Sequence, residues 1–286
     1  IRQFFAKHDV MEVETPSLSQ YTVTDAHINS FQLANCTPTY YLQTSPEYAM
    51  KRLLVAGSGA IYQISKAFRC EEQGSQHNPE FTLLEWYRPG FTHLDLMDDV
   101  NALLQHAINT KPATKTTYHD IFQQHLNIDP HTCDTQQLQQ LTQQRINITQ
   151  DDTLSRDDYL NLLLTHCIEP TLGIDAPVFI YDYPATQAAL AKIRNGTPDT
   201  AERFELYFNG TELANGFHEL QDPAEQEQRF KQDQLQRHKQ QQTAPEIDIR
   251  FIAALHHGLP SCAGVALGID RLIMLASSKK TLSETL

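Results

Sequence analysis

Three groups of residues combine types and spacings that could do chemistry. The first is Phe68-Arg69-Cys70-Glu71 followed by His77-Asn78-Pro79-Glu80-Phe81-Thr82-Leu83-Leu84-Glu85-Trp86-Tyr87. Two strands separated by a polar loop fit this segment. Side chains alternate along a strand, so Phe81, Leu83, Glu85 and Tyr87 share one face, and Arg69 and Glu71 share one on the neighbouring strand. An aromatic ring, carboxylates and a guanidinium on one face suit a polar pocket with a stacking surface; the plain alternative is a solvated face. The second group is Gly210-Thr211-Glu212-Leu213-Ala214-Asn215-Gly216-Phe217-His218-Glu219. Asn215, Phe217 and Glu219 fall on one face, and Glu212 joins them only if a bulge near Gly216 or Ala214 re-aims it. Magnesium takes one or two protein carboxylates and completes its shell with water and phosphate, so Glu212 and Glu219 are candidate ligands. Read alone, the segment is an ordinary strand. The third is Gly264-Val265-Ala266-Leu267-Gly268-Ile269-Asp270-Arg271-Leu272, a small-residue strand running into a helix. Gly264, Ala266 and Gly268 would leave a face without bulk on which a ligand can lie, and Arg271 offers a forked cation for phosphate. Thirteen histidines include no metal-binding pair on a helix face, and only His77, in the loop of the first group, has a functional setting.

These residues need elements to carry them. An amphipathic pattern predicts a helix from Ile1 to Ala6, and Val10–Glu14 alternates like a strand before Thr15-Pro16. Ser45-Pro46-Glu47 predicts a helix start, with Ser45 as cap and Pro46 at the first helical position, running through Leu54 to Gly57. Ala60–Cys70 and Glu80–Arg88 are predicted strands. The region from about 94 to 170 reads as helical, with Gln136–Gln144 as a solvated helix face. Strands are predicted at Val178–Tyr181, Arg203–Phe208, Thr211–Glu219 and Cys262–Gly268. Helices are predicted at Pro223–Gln242, Ile247–His257 and from Asp270. Strands at both ends and helices in the middle make an α+β pattern without strand–helix alternation.

The 286 residues are enough for one large domain or two small ones with a core that needs no staple. A net charge of −13 argues against a broad nucleic-acid footprint, which depends on a basic surface. It leaves room for a local basic pocket. Mean hydropathy is −0.45; no apolar run reaches a membrane span and no signal segment is visible, so no membrane partner is expected. Five scattered cysteines fit a reducing compartment, and the expected location is cytoplasmic.

Together and in order, these groups resemble the class II aminoacyl-tRNA synthetases. Val13-Glu14-Thr15-Pro16 resembles motif 1, Phe68-Arg69-x-Glu71 with His77–Thr82 resembles motif 2, and Gly268-Ile269-Asp270-Arg271 resembles motif 3. Ser-Pro-Glu at 45–47, His-Asn-Pro-Glu-Phe-Thr at 77–82 and Ala-Asn-Gly-Phe at 214–217 are similar to lysyl-tRNA synthetases. Three departures point to a paralogous family, the elongation factor P–(R)-β-lysine ligases. No anticodon-binding domain precedes motif 1, Ala266 stands where Gly is usual, and Ser45 stands where Ala is usual. A fourth difference, Cys70 for the usual Asn of motif 2, points to no branch.

The resemblance implies an α+β fold, with an antiparallel sheet flanked by helices, as one catalytic domain over 1–286 with a helical insertion at about 94–170. It also implies a homodimer formed through motif 1. The implied activity is activation of (R)-β-lysine, and weakly α-lysine, by ATP with Mg²⁺, and transfer to a lysine of elongation factor P rather than to tRNA. Arg69 would clamp the α-phosphate and Arg271 the γ-phosphate, with His77 assisting. Phe81 would stack on adenine, with Asn78 reading its edge. Glu71 would touch the adenosine, and backbone at Leu213 and Gly268 would meet the ribose. Glu212 and Glu219 would hold Mg²⁺. Ser45, Pro46, Glu47, Glu85, Tyr87, Asn215, Phe217, Glu219 and Ala266 would surround the substrate, whose two ammonium groups explain so many carboxylates. The alternatives are a lysyl-tRNA synthetase catalytic domain charging tRNA with α-lysine, an idle synthetase-like binding module, and an asparagine synthetase-type relative.

Overall fold

The structure, a computed structural model, describes residues 1–70, 74–146 and 154–285. They fall into two units, Ile1–Thr92 with Glu219–Leu286, and His93–His218. The first unit opens with α1 (Arg2–Lys7), which buries Phe4 and Phe5. Phe5 stacks on Tyr62 at 4.2 Å and meets Trp86 edge-on at 5.5 Å. Next come β1 (Met11–Glu12), β2 (Leu18–Ser19), β3 (Tyr41–Leu42), α2 (Glu47–Val55), β4 (Ile61–Phe68) and β5 (Glu80–Pro89). The expected strand at Val10–Glu14 shrinks to two residues, Met11–Glu12; beyond it Thr15 turns its hydroxyl to Gln63 and Pro16 withdraws a ladder donor. At α2 the cap expectation shifts by one residue. Pro46 is the N-cap and makes no side-chain cap bond; Ser45 Oγ, just before it, accepts the Glu47 N–H at 3.4 Å.

The second unit contains α3 (His93–Ile108), β6 (Thr114–Thr117), α4 (Tyr118–Leu126), α5 (Thr135–Ile146), α6 (Arg156–Leu163), β7 (Val178–Pro184), β8 (Ile193–Arg194), β9 (Thr200–Phe208) and β10 (Thr211–His218). Strand β9 pairs antiparallel with β7, β8 and β10. Tyr118, Phe122, Leu138, Leu160, Ile180, Tyr183 and Tyr207 form its core. Local signals set the helix ends. Thr117 accepts the Asp120 N–H, and Asn127 ends α4 in the left-handed region at φ 56°. The glutamine-rich α5 buries only Leu138 and Thr142, in line with a solvated face.

The chain returns to the first unit through α7 (Pro223–Lys239), α8 (Ile249–Gly258), β11 (Cys262–Gly268) and α9 (Ile269–Ala276). Asp222 caps α7 and Asp248 caps α8, each accepting two backbone N–H groups. Strand β5 pairs antiparallel with β4 and β11. Strand pairing in each unit is mixed, contrary to the antiparallel expectation, because β1 runs parallel to β4 and β6 parallel to β7. Both parallel partners are short strands, which carry no pattern from which direction can be read. Among the described residues no helix is long and apolar enough to cross a membrane, and no cysteine is in a disulfide.

Candidate active site

Strand register lines up one row of the first unit. Gln63 of β4 lies opposite Glu85 of β5, and Glu85 opposite Ala266 of β11. The adjacent row holds Ile61, Tyr87 and Gly264. Tyr87 donates its hydroxyl to Glu85 Oε1 at 2.7 Å, while Glu85 Oε2 is buried without a hydrogen-bond donor. Thr15 of motif 1 bonds the Gln63 side chain at 3.0 Å, which ties that segment to the same row. Above it, Lys51 of α2 is 1% exposed and pairs with Glu47 at 2.7 Å and Glu219 at 2.6 Å. Burial opposes the Lys51 charge, but Glu219 and Glu47 outweigh it and hold its pKa above the ordinary lysine value. Burial, reinforced by Glu47, raises the Glu85 carboxyl well above the usual range. Burial raises Glu219 also, against the pull of Lys51.

The expected bare face of β11 is occupied at Gly264. A methyl there would lie 2.2 Å from the Tyr87 ring and 2.4 Å from Glu219 Oε1. The glycine therefore makes room for two side chains of the site itself. Ser45 and Arg52 line a neighbouring groove of about 210 Å³ with Tyr21, Tyr48, Asp248 and Arg250. Pro46 is buried at the head of α2.

The cations sit at the hairpin end of the same unit. Arg69 follows β4; its guanidinium covers the Phe81 ring at 5.1 Å, and its Nε donates to Thr44 O at 3.4 Å. Arg271 Nε donates to Gln76 O at 3.2 Å, and Nη2 lies 2.6 Å from His77 Nε2. Asp270 accepts the Thr82 N–H at 2.9 Å, so motif 3 is fastened to β5. Gly268 lies against the Arg271 side chain, 3.7 Å from where a Cβ would stand. Asn78 is half-buried in the loop. Glu71 lies outside the described residues.

The second unit carries Glu212, Leu213, Asn215 and Phe217 on β10. Pairing with β9 slips between Glu212 and Ala214, the bulge that Glu212 needed, though it falls at Leu213. Glu212, Asn215 and Phe217 are all half-buried while their neighbours are buried, so the bulge brings Glu212 into phase. Asn215 Oδ1 is buried without a hydrogen-bond donor. Sequence reasoning missed Glu205 of β9, which accepts from Tyr183 at 2.7 Å, from Tyr207 at 2.5 Å and from Arg203. Lys51 was also missed. The acid–base pair Glu47–Lys51, four residues apart on one helix face, stands in the sequence, but nothing local marks it as buried.

Magnesium needs carboxylate oxygens open to it. Glu219 gives Oε2 to an ammonium and has Oε1 buried beside Gly264 without a hydrogen-bond donor, an environment that suits amine recognition better than a divalent ion. Glu212 keeps a half-buried carboxylate. A profile for tRNA synthetases class II (D, K and N) matches residues 1–286. The chain belongs to the class II tRNA synthetases. Among curated relatives, the "Elongation factor P–(R)-beta-lysine ligase" of Hamiltonella defensa is 52% identical over 294 residues, covering 100% of this chain and 90% of that protein. The protein of the same name from Vibrio cholerae is 52% identical over 284 residues, covering 96% and 87%. That from Pseudoalteromonas translucida is 50% identical over 294 residues, covering 100% and 90%. In this class II chain the arginines of motifs 2 and 3 share the hairpin end of the first unit, and the carboxylates gather around Lys51.

Proposed function

We propose that the protein is an ATP-dependent ligase that activates (R)-β-lysine and transfers it to a lysine side chain of elongation factor P. The observation that carries this reading is the pair of buried carboxylates Glu85 and Glu219 beside the half-buried Glu47, with Ala266 opposite Glu85. Uncompensated buried carboxylates are costly and are satisfied by cationic groups, which a diamino acid supplies. The names of its relatives support the same substrate and acceptor. The substrate carboxylate attacks the α-phosphorus of ATP, the bond to the bridging oxygen breaks, and pyrophosphate leaves. The ε-amine of the acceptor then attacks the adenylate carbonyl, an amide forms and AMP departs. Fixed cations lower both barriers by meeting charge as it develops. Arg69 would meet the α-phosphate and Arg271, held by His77 and Gln76, the γ-phosphate, with Phe81 as the adenine platform. Asn78 and Gly268 would contribute backbone contacts, and Leu213 remains in the ribose assignment on sequence grounds. Glu71 remains in the adenosine assignment on sequence grounds. The enzyme would work in the cytoplasm as a homodimer through motif 1, without tRNA, with residues 1–286 forming its catalytic part.

The test is ATP–pyrophosphate exchange with (R)-β-lysine against α-lysine, followed by intact-mass analysis of elongation factor P. Exchange favouring (R)-β-lysine and modification of the factor are expected. Preference for α-lysine together with efficient charging of tRNA would favour the lysyl-tRNA synthetase alternative.

A further inference from the structure

Lys51 has no assigned part in this chemistry, and its position is unusual for a lysine. Lysine is among the residues least often fully buried unless paired. Here the side chain is 1% exposed, and its Nζ lies 2.7 Å from Glu47 Oε1 and 2.6 Å from Glu219 Oε2. The third group facing it is the Phe251 ring of α8, 5.8 Å away. Glu47 belongs to α2, while Glu219 follows β10 and bonds the first residue of β11 through its N–H at 3.0 Å. One buried ammonium therefore joins two carboxylates from separate elements and fixes the orientation of both. Two oxygens in this group are left without a hydrogen-bond donor, Glu219 Oε1 and Glu85 Oε2. The charge count points the same way. Once a cationic ligand ionises all three carboxylates, the one ammonium leaves two negative charges, and an adenylated diamino acid carries two ammonium groups with its carboxylate already taken up in the anhydride to phosphate.

Resting on the function proposed above, the geometry points to Lys51 as a positioning and specificity-determining residue. It clasps Glu47 and Glu219 so that the remaining oxygens meet the two amino groups of a diamino acid. A guanidinium keeps the charge but not the reach or shape of an ammonium, so Lys51→Arg separates position from charge, and Lys51→Met removes both. Pyrophosphate exchange should give a KM for (R)-β-lysine raised about tenfold or more in both variants, because a displacement of about 1 Å at a binding group costs up to about 10²-fold. The KM for ATP should stay within about twofold, a split that general loosening of the fold does not produce. A wild-type KM for (R)-β-lysine in Lys51→Arg would reduce Lys51 to a counter-charge and overturn the proposal. Equal rises in both KM values would overturn it too. Should Lys51→Met fail to fold, Lys51→Arg alone decides. A wild-type enzyme inert with (R)-β-lysine would instead remove the functional reading, and this inference with it.

Discussion

Two small residues of β11 face the same side of the sheet and have different reasons to be small. At Gly264 the reason is internal, since a Cβ would run into Tyr87 and Glu219. At Ala266 a methyl is present, directly opposite Glu85. Moving an amino group from the α- to the β-carbon shifts ammonium and carboxylate relative to each other by one bond. The pocket floor must then change while the carboxylates can stay. Lysyl-tRNA synthetases, which the chain resembles, usually have Gly where Ala266 stands, and one methyl group in a tight pocket is worth about 1–3 kcal/mol, or about 10–200-fold. Ala266→Gly is expected to raise the kcat/KM ratio of α-lysine over (R)-β-lysine by about tenfold or more and to leave the KM for ATP unchanged. A ratio within about twofold of wild type would make position 266 a packing residue.

Helix α2 carries Glu47 and Lys51, so its docking sets the precision of the proposed amine site. It leans on α8, where Tyr48 stacks on Phe251 at 4.6 Å. Asp248 joins the two helices: it caps α8 through the N–H groups of Arg250 at 2.9 Å and Phe251 at 3.0 Å, and it accepts from Arg52 of α2 at 3.3 Å. Loss of an N-cap side chain costs about 0.5–2 kcal/mol. Asp248→Ala should therefore lower stability in urea by at least that much, with Asp248→Asn close to wild type. A loss below about 0.5 kcal/mol in Asp248→Ala would show that the cap contributes little. The helical periodicities and the alternation of β4, β5, β9, β10 and β11 made most elements legible from local sequence, although the Asp caps of α7 and α8 were not read there. The short strands β2, β3, β6 and β8 were not, because two to four residues carry no period of their own and form only where a distant partner offers its edge. The hairpin segment marked Arg69 and Phe81 and the strand-to-helix segment marked Arg271, whereas Lys51 and Glu205 escaped for a common reason. Lysine and glutamate are ordinarily solvated, and only tertiary packing buries them.

Across the whole molecule, charge and burial act in the same direction as pH rises. The chain carries −13 at pH 7 with a pI near 5.4, so self-repulsion grows above that point. Glu85 adds a specific term. Burial holds its native pKa well above the ordinary 4.5, so over that interval the folded protein keeps a proton that the unfolded chain has lost. Stability from this group is fully present below about pH 4.5 and is lost as pH rises through the raised native value. Burial raises Glu219 in the same sense. A diammonium ligand reverses the balance, because it favours the ionised carboxylates and its binding releases their protons. Ligand stabilisation must then grow with pH while the ammonium groups stay charged. Thermal unfolding of the enzyme should show a lower midpoint at pH 8 than at pH 6 without ligand. The upward shift produced by saturating (R)-β-lysine should be larger at pH 8, and Glu85→Gln should flatten the difference. A shift equal at the two values, or larger at pH 6, would mean that Glu85 is already ionised in the free enzyme or does not meet the substrate amine.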